Sequence, residues 1–342
     1  MIIVDSYWKN KNIFITGING FIGSNLAKYL INSGANVYGL VRNEDNRTLI
    51  HYENIVKGIT IIEGEVTNLK LIKRIIAEGS IQYCFHLAAQ VEVGVALNYP
   101  YSTWETNIRG TYTLLEAFRE SHVQIKSIII ASSDKAYGSY PEKDLPYQEH
   151  YALKASYPYD TSKACADMIA QTYAKNNYGL PIIITRFANI YGPGQLNFSA
   201  IIPDCIRSAL GYSKFLPRTN GTNVRDFLFV EDVIVLYLLV AKSLSQNQSL
   251  SGEIFNAGTN EPVLIRELIK IIYKLLNNLE QYKEIEKLFL EKCSPHEIEN
   301  QRMNYEKVNK FFNWKPKTDL YTGLKSSIVW YRKFLKYYYK SN

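Results

Sequence analysis

Ile13-Phe-Ile-Thr16 runs straight into Gly17-Ile-Asn-Gly20-Phe-Ile-Gly23, and the residues after it, up to Asn32, keep the apolar spacing of a helix. A β-branched apolar run, a glycine-punctuated turn and an amphipathic stretch make a strand–turn–helix unit. Glycine lets the backbone turn tightly and approach a pyrophosphate, while the helix amino terminus offers free N–H groups and a positive dipole end. Gly17, Asn19, Gly20, Phe21, Ile22 and Gly23 are therefore predicted to cradle a dinucleotide. The spacing alone also fits a tight turn without a ligand; its place between a strand and a helix favours the cradle.

Outward from this unit the alternation continues. Residues 37–41, 60–62, 83–86, 127–131 and 181–185 read as buried parallel strands, and 21–32, 69–78, 107–120 and 159–176 as amphipathic helices between them. This predicts an α/β fold, a doubly wound parallel sheet of Rossmann type, with ligands outside the carboxyl ends of its strands. After Arg186 the pattern loosens. Residues 189–194 read as a turn-rich break, 218–224 and 243–251 as loops, and 201–210, 263–276, 279–290, 305–312 and 320–339 as helices. The expected division is a dinucleotide-binding domain of residues 1–186 with about 226–257, and a discontinuous, mostly helical substrate-binding cap of 187–225 and 258–342.

Composition narrows the class. At 342 residues the chain is long enough for one large or two joined domains. With 46% hydrophobic and 21% charged residues it can bury a core, which excludes a disordered chain. Cys84, Cys165, Cys205 and Cys293 form no CxxC pair, which fits a reducing compartment and argues against zinc or disulfides. Ile2-Ile3-Val4 is cut short by Asp5, unlike a signal peptide, and the run from Val233 to Ala241 is too short to cross a bilayer. A cytoplasmic protein with no membrane partner is expected. The net charge of +7 is partly concentrated after Lys315, among tyrosines. That stretch reads as a solvated helical tail rather than a nucleic-acid patch, and the positive balance suits ligands that carry pyrophosphates.

Two further features carry chemistry. The second strand of such a sheet normally ends in an acid that takes the ribose 2′-hydroxyl of NAD. Here Val41-Arg42 stands there, with no acid until Glu44. A guanidinium suits a 2′-phosphate, so the cofactor expectation leans to NADP, with NAD the alternative and a solvated Arg42 the bland one. Tyr159-x-x-x-Lys163 puts two side chains one helical turn apart on one face. A lysine ammonium beside a phenol lowers its pKa and makes a base that works near neutrality. Ser133, at the end of a strand, can hydrogen-bond the oxygen that Tyr159 deprotonates.

His86-Leu-Ala-Ala-Gln90, Thr106-Asn107, Ser132-Ser133, Pro158-Tyr-Asp-Thr-Ser-Lys163, Arg186-Phe-Ala-Asn-Ile-Tyr-Gly-Pro193, Arg225-Asp226, Val230-Glu-Asp-Val233 and Asn313-Trp-Lys-Pro316 together resemble the extended short-chain dehydrogenase/reductase superfamily over nearly the whole chain. Ser133-Asp134-Lys135 is similar to the CDP-glucose 4,6-dehydratases, where the TDP-glucose type would show Asp-Glu. The segments 6–11 and 202–207 also resemble the CDP-glucose branch, whereas Val41-Arg42 looks more like the GDP-mannose 4,6-dehydratases.

The resemblance implies a nucleotide-sugar 4,6-dehydratase that turns a nucleotide hexose into the 4-keto-6-deoxy sugar. Tyr159 would take the O4 proton with Ser133 and Lys163 beside it, and Asp134 would protonate the departing O6. Lys135 would act as the C5 base if its pKa is lowered, and otherwise orient Asp134; a salt-bridged Asp134–Lys135 loop pair is the plain alternative. Cofactor contacts are expected from the glycine turn, Arg42, Glu65, Val66, Leu87, Ala88, Ala89, Tyr159 and Lys163. Substrate contacts are expected from Gln90, Ser133, Asn189, Arg225 and Arg302, with Asp226 a partner for Arg225. His86 reads as a buried, hydrogen-bonded histidine, and His296 has no assignment. A 4-epimerase or 4-keto reductase of the same family, or a cofactor-sensing binding protein, are the competing readings. A homodimer formed through helices 107–120 and 159–176 is also implied.

Overall fold

The computed structural model describes residues 5–175, 178–291 and 298–339. Ile2, Ile3, Val4, Asn176, Cys293 and His296 lie outside the described residues. Seven strands form one parallel sheet: β1 (Asn12–Thr16), β2 (Asn36–Val41), β3 (Ile59–Glu63), β4 (Tyr83–His86), β5 (Ser127–Ala131), β6 (Ile182–Phe187) and β7 (Ile254–Ala257), in the order β7-β6-β5-β4-β1-β2-β3. The order reverses between β1 and β4, and a crevice opens at such a point beyond the carboxyl ends of the strands. The larger helices are α1 (Phe21–Asn32), α2 (Leu69–Glu78), α3 (Gly110–Arg119), α4 (Pro158–Ala174), α5 (Ile201–Ala209), α6 (Val230–Gln246), α7 (Ile265–Leu275), α8 (Leu279–Glu286) and α9 (Leu320–Tyr338).

The strands are mainly apolar because helices cover both faces. Ile13, Ile15, Tyr83, Phe85, Ile129 and Ile183 point to one side, where α1 and α6 supply Leu26, Leu30, Val233 and Leu244. Their neighbours Phe14, Cys84, Ile128, Ile130, Ile182 and Ile184 point to the other, against Ile72 and Ile76 of α2, Leu114 and Phe118 of α3, and Ala170 of α4. This is the two-residue period of a strand read in three dimensions. A third apolar cluster joins Ile206 of α5, Leu268 and Ile272 of α7, and Leu324, Ile328, Tyr331 and Phe334 of α9. Helix α9 thus buries one stripe and exposes Lys325, Arg332, Lys333 and Lys336, so the basic tail is solvated on one face only. No helix among the described residues is long and apolar enough to cross a membrane.

Three segments differ from expectation. Residues 243–251 are not an open loop: α6 continues to Gln246 and a 3-10 turn spans Gln248–Leu250, because Leu244 and Leu250 are buried. Asn189–Tyr191, expected as a break, pairs in parallel with Phe227–Phe229. Strand β7 was not expected at all; it is four residues long and owes its existence to β6 alongside. In each case the deciding partner is distant in sequence.

One buried ion pair ties the sheet to the loops above it. Arg186 on β6 donates from Nε and Nη2 to both carboxylate oxygens of Asp167 on α4, at 2.8 and 2.9 Å, with both side chains removed from solvent. Arg186 Nη1 also donates to Tyr137 Oη at 2.8 Å, and Tyr137 donates to Asn256 Oδ1 on β7 at 2.8 Å. Removing one partner of a buried pair strands the other charge. Asp167→Asn is expected to destabilise the protein by about 3–5 kcal/mol in denaturant unfolding; a change under about 1 kcal/mol would count against this role.

Candidate active site

The glycine turn is held at the switch point by contacts that a side chain would break. Gly17 has φ of +70°, and a Cβ there would lie 2.9 Å from Ala88 Cα; one on Gly23 would lie 2.3 Å from Gly17 O. Thr16 Oγ1 accepts the N–H groups of Leu87 and Ala88, each at 3.1 Å, and so locks the turn to the segment after β4. Having accepted two bonds, Thr16 donates its one proton to His86 Nδ1 at 2.8 Å. Thr111 donates to Asn107 O at 2.7 Å, so it accepts from His86 Nε2 at 3.0 Å. His86 is therefore neutral with its proton on Nε2, and burial lowers its pKa to about 3, as does the charge of Lys163. It is the buried, bonded histidine that the sequence suggested.

The turn fits a pyrophosphate. Helix α1 starts at Gly20 with no side chain capping its N–H groups, and a Cβ at Gly17 would fill the approach. Asn19 Nδ2 donates to Asn43 O at 3.3 Å, Phe21 and Ile22 are half-buried, and Leu87, Ala88 and Ala89 line the facing segment. Beyond β2, Arg42 is exposed, Glu44 lies 3.4 Å from His51, and Asp45 is bound by Arg47 at 3.0 and 3.1 Å. Glu65 is exposed and accepts from Thr67, whereas Val66 is buried against Gly110.

The structure brings Ser133, Asp134, Tyr159 and Lys163 together at the carboxyl end of β5. Lys163 Nζ donates to Ala131 O, the last carbonyl of β5, at 2.8 Å. One turn earlier on α4, Tyr159 is buried, and Ser133 acts on its phenol. Ser133 begins the short helix Asp134–Tyr137, accepting from Lys135 N at 3.2 Å and donating to Asp134 Oδ1 at 3.1 Å. Lys135 is half-buried and its charge acts on Asp134.

Burial sets the protonation of these groups. It raises the Asp134 carboxyl above the ordinary range, although Lys135, Ser133 and Arg225 oppose it. It lowers Lys163 to about 8, with Asp167 pulling the other way. It also raises the Tyr159 phenol, with Asp134 and Asp160 adding to the rise and Ser133 opposing it. In the protein alone the phenol is not made acidic as expected: desolvation is the largest influence and raises it, while Lys163 donates to Ala131 O.

The expected substrate residues are anchored as follows. Gln90 N–H donates to Asn107 Oδ1 at 2.8 Å, and Asn107 Nδ2 reaches Ser162 Oγ on α4 at 2.8 Å. Asn189 Nδ2 donates to Asp226 O at 3.3 Å. Arg225 is buried beside Asp134, with Nη1 donating to the carbonyls of Val224 and Glu299 at 2.9 and 3.0 Å. Arg302 is paired with Glu142. Asp226 is not the partner of Arg225 as expected. It takes the N–H groups of Thr259 and Asn260 at 3.0 and 3.2 Å, because Asn260 turns the chain with φ of +59° and leaves those groups pointing at it. Sequence reasoning missed Gln301, whose Nε2 donates to Asp134 Oδ2 at 3.3 Å; it lies in no motif and no periodic segment.

The likenesses of the chain agree with this geometry. The family described as GDP-mannose 4,6 dehydratase matches residues 14–327. Human dTDP-D-glucose 4,6-dehydratase is 28% identical over 329 residues, covering 94% of this chain and 90% of that protein. A dTDP-glucose 4,6-dehydratase from Bacillus anthracis, solved in complex with NAD, superposes with a TM-score of 0.80 at 30% identity, covering 94% of this chain and 97% of the other. The UDP-glucose 4-epimerase of Thermotoga maritima, solved with UDP-glucose, gives 0.79 at 27% identity over 95% and 99%. The chain belongs to the GDP-mannose 4,6-dehydratase family, in the nucleotide-sugar 4,6-dehydratase branch of the extended short-chain dehydrogenases/reductases.

Proposed function

We propose that the protein is a nicotinamide-dependent nucleotide-sugar 4,6-dehydratase, converting a nucleotide hexose into its 4-keto-6-deoxy form with loss of water. The observation that carries this reading is Asp134: a buried carboxyl with a raised pKa, one residue from Ser133 and within the field of Tyr159. An enzyme that only oxidises and reduces C4 needs one proton acceptor. A carboxyl in the same place, its pKa raised by burial, can supply the proton that expelling O6 as water requires.

A bound nicotinamide supplies hydride chemistry, taking hydride from C4 and returning it to C6. The remaining work falls to the chain. Tyr159 Oη receives the O4 proton while Ser133 holds that oxygen, and Lys163, fixed on Ala131 O, offers the charge that favours the phenolate. The new C4 ketone acidifies C5–H. Its proton leaves to a base, for which Lys135 is the nearest candidate; the electron pair forms C5=C6, the C6–O6 bond breaks, and Asp134 protonates O6. After hydride reaches C6, a proton from solvent restores C5–H.

The other assignments are proposals of the same reading. The glycine turn, Glu65, Val66 and residues 87–89 hold the dinucleotide, and Gln90, Asn189, Arg225 and Arg302 hold the nucleotide sugar. The dinucleotide is NADP, because Glu44 and Asp45 are engaged by His51 and Arg47 while Arg42 is exposed. Residues 1–186 with about 226–257 form the cofactor domain, and 187–225 with 258–342 the cap; the separate apolar cluster of α5, α7 and α9 supports the split. Exposed Tyr112 on α3 and Met168 on α4 support a homodimer through these two helices. The free cysteines Cys84, Cys165 and Cys205 fit a cytoplasmic setting.

Incubation with CDP-, GDP-, dTDP- and UDP-hexoses is expected to yield a product lighter by one water that takes up deuterium at C5 from heavy water. Tyr159→Phe should lower that turnover about 10²–10⁴-fold. A product of unchanged mass would replace the dehydratase with an epimerase. Arg42→Ala should weaken NADP binding about tenfold and leave NAD binding nearly unchanged, by fluorescence titration. Equal effects on both would overturn the NADP assignment. Lys163 acts as an ammonium and its folded pKa is depressed to about 8, so its charge is lost as pH rises. Turnover should therefore fall above about pH 8 in steady-state profiles, and a rate still rising at pH 9 would contradict the role.

A further inference from the structure

The segment from Glu299 to Met303 is fixed by strand-like bonds on both sides. Val224 N–H donates to Glu299 O at 2.9 Å, Gln301 N–H to Val224 O at 3.1 Å, and Tyr147 N–H to Arg302 O at 3.0 Å. These bonds hold the fully buried Gln301 against Asp134, with Nε2 donating to Oδ2 at 3.3 Å. Ser133 serves the other oxygen, Oδ1. The carbonyl oxygen of Gln301, Oε1, is buried with no hydrogen-bond partner.

A buried amide with one end bonded and the other orphaned is a costly arrangement unless the orphan has a use. Asp134 supplies one. As a carboxylate it only accepts, and the Gln301 N–H meets it; as a carboxylic acid it carries an O–H that needs an acceptor. A half-turn about the last bond of Gln301 puts its carbonyl oxygen where Nε2 stands. The charges of Lys135 and Arg225 act on Asp134, and Tyr147 and Tyr159 face it as phenols whose pKa burial raises.

We propose that Gln301 is a positioning residue for Asp134, holding Oδ2 in place and presenting either N–H or C=O, so that Oδ2 keeps a partner both as a carboxylate and as a carboxylic acid. This rests on Asp134 being the acid that protonates O6. Gln301 belongs to the water-loss step and not to oxidation at C4.

The experiment is a single-turnover comparison of wild type, Gln301→Met, Gln301→Glu and Asp134→Asn, all as holoenzyme. The probe is whichever of GDP-mannose, CDP-, dTDP- or UDP-glucose the wild type turns over. Absorbance of the reduced nicotinamide reads C4 oxidation, and product mass reads water loss. Gln301→Met is expected to leave C4 oxidation within about twofold and to slow water loss at least about tenfold. Gln301→Glu places a second carboxyl beside the first and should move the basic limb of water loss up by about one pH unit. Equal slowing of both steps, no slowing, or an unmoved limb would overturn the assignment to Gln301 while Asp134→Asn remained inactive. Water loss persisting in Asp134→Asn would instead show that the acid was misassigned, and this inference would fall with it.

Discussion

The buried pair Arg186–Asp167 is the constraint on which the site depends. It joins β6 to α4, the helix that carries Tyr159 and Lys163. Through Tyr137 it also reaches the short helix that begins at Asp134, and through Asn256 it reaches β7 and the Tyr147 carbonyl at 3.0 Å. A guanidinium out of water is tolerable only when its donors are met, and here Nε, Nη1 and Nη2 all are. The consequence is geometric. The helix that carries Tyr159 and Lys163 and the turn that begins at Asp134 are registered on one cation, so neither moves without breaking it.

The same low dielectric sets the chemistry. Desolvation favours the neutral form of every group it touches. It raises Asp134, which suits a proton donor, and raises Tyr159, which does not suit a base. It lowers Lys163, while Asp167 on the next turn of α4 limits the fall. Asp167 therefore has two tasks: it neutralises Arg186 and helps Lys163 stay an ammonium. A site of this kind gains its acid by burial alone and must gain its base by local charge.

The fold does not by itself choose between epimerase and dehydratase. The chain superposes on both with nearly equal TM-scores, 0.80 and 0.79. What this chain adds locally is a carboxyl after Ser133 and the neighbours that act on it. Those neighbours come from far along the chain. Arg225 arrives on a two-residue strand, and Gln301 on a segment paired with that strand.

The sequence by itself determined the first six strands of the sheet and the motifs carried by local spacing. Strand and helix periods are short-range, so residues 127–131 and 69–78 were legible to the residue. The glycine turn and Tyr159–Lys163 were legible because a turn and a helix each fix their own side chains. Only the tertiary structure decided which distant groups meet. Strand β7 exists because β6 lies beside it, Asp226 serves the Thr259–Asn260 turn rather than Arg225, and Gln301 meets Asp134 across the molecule. The protonation of Tyr159 belongs to the same class. Spacing shows which charge is one turn away, but burial, the largest influence on the phenol, is a property of everything packed around it.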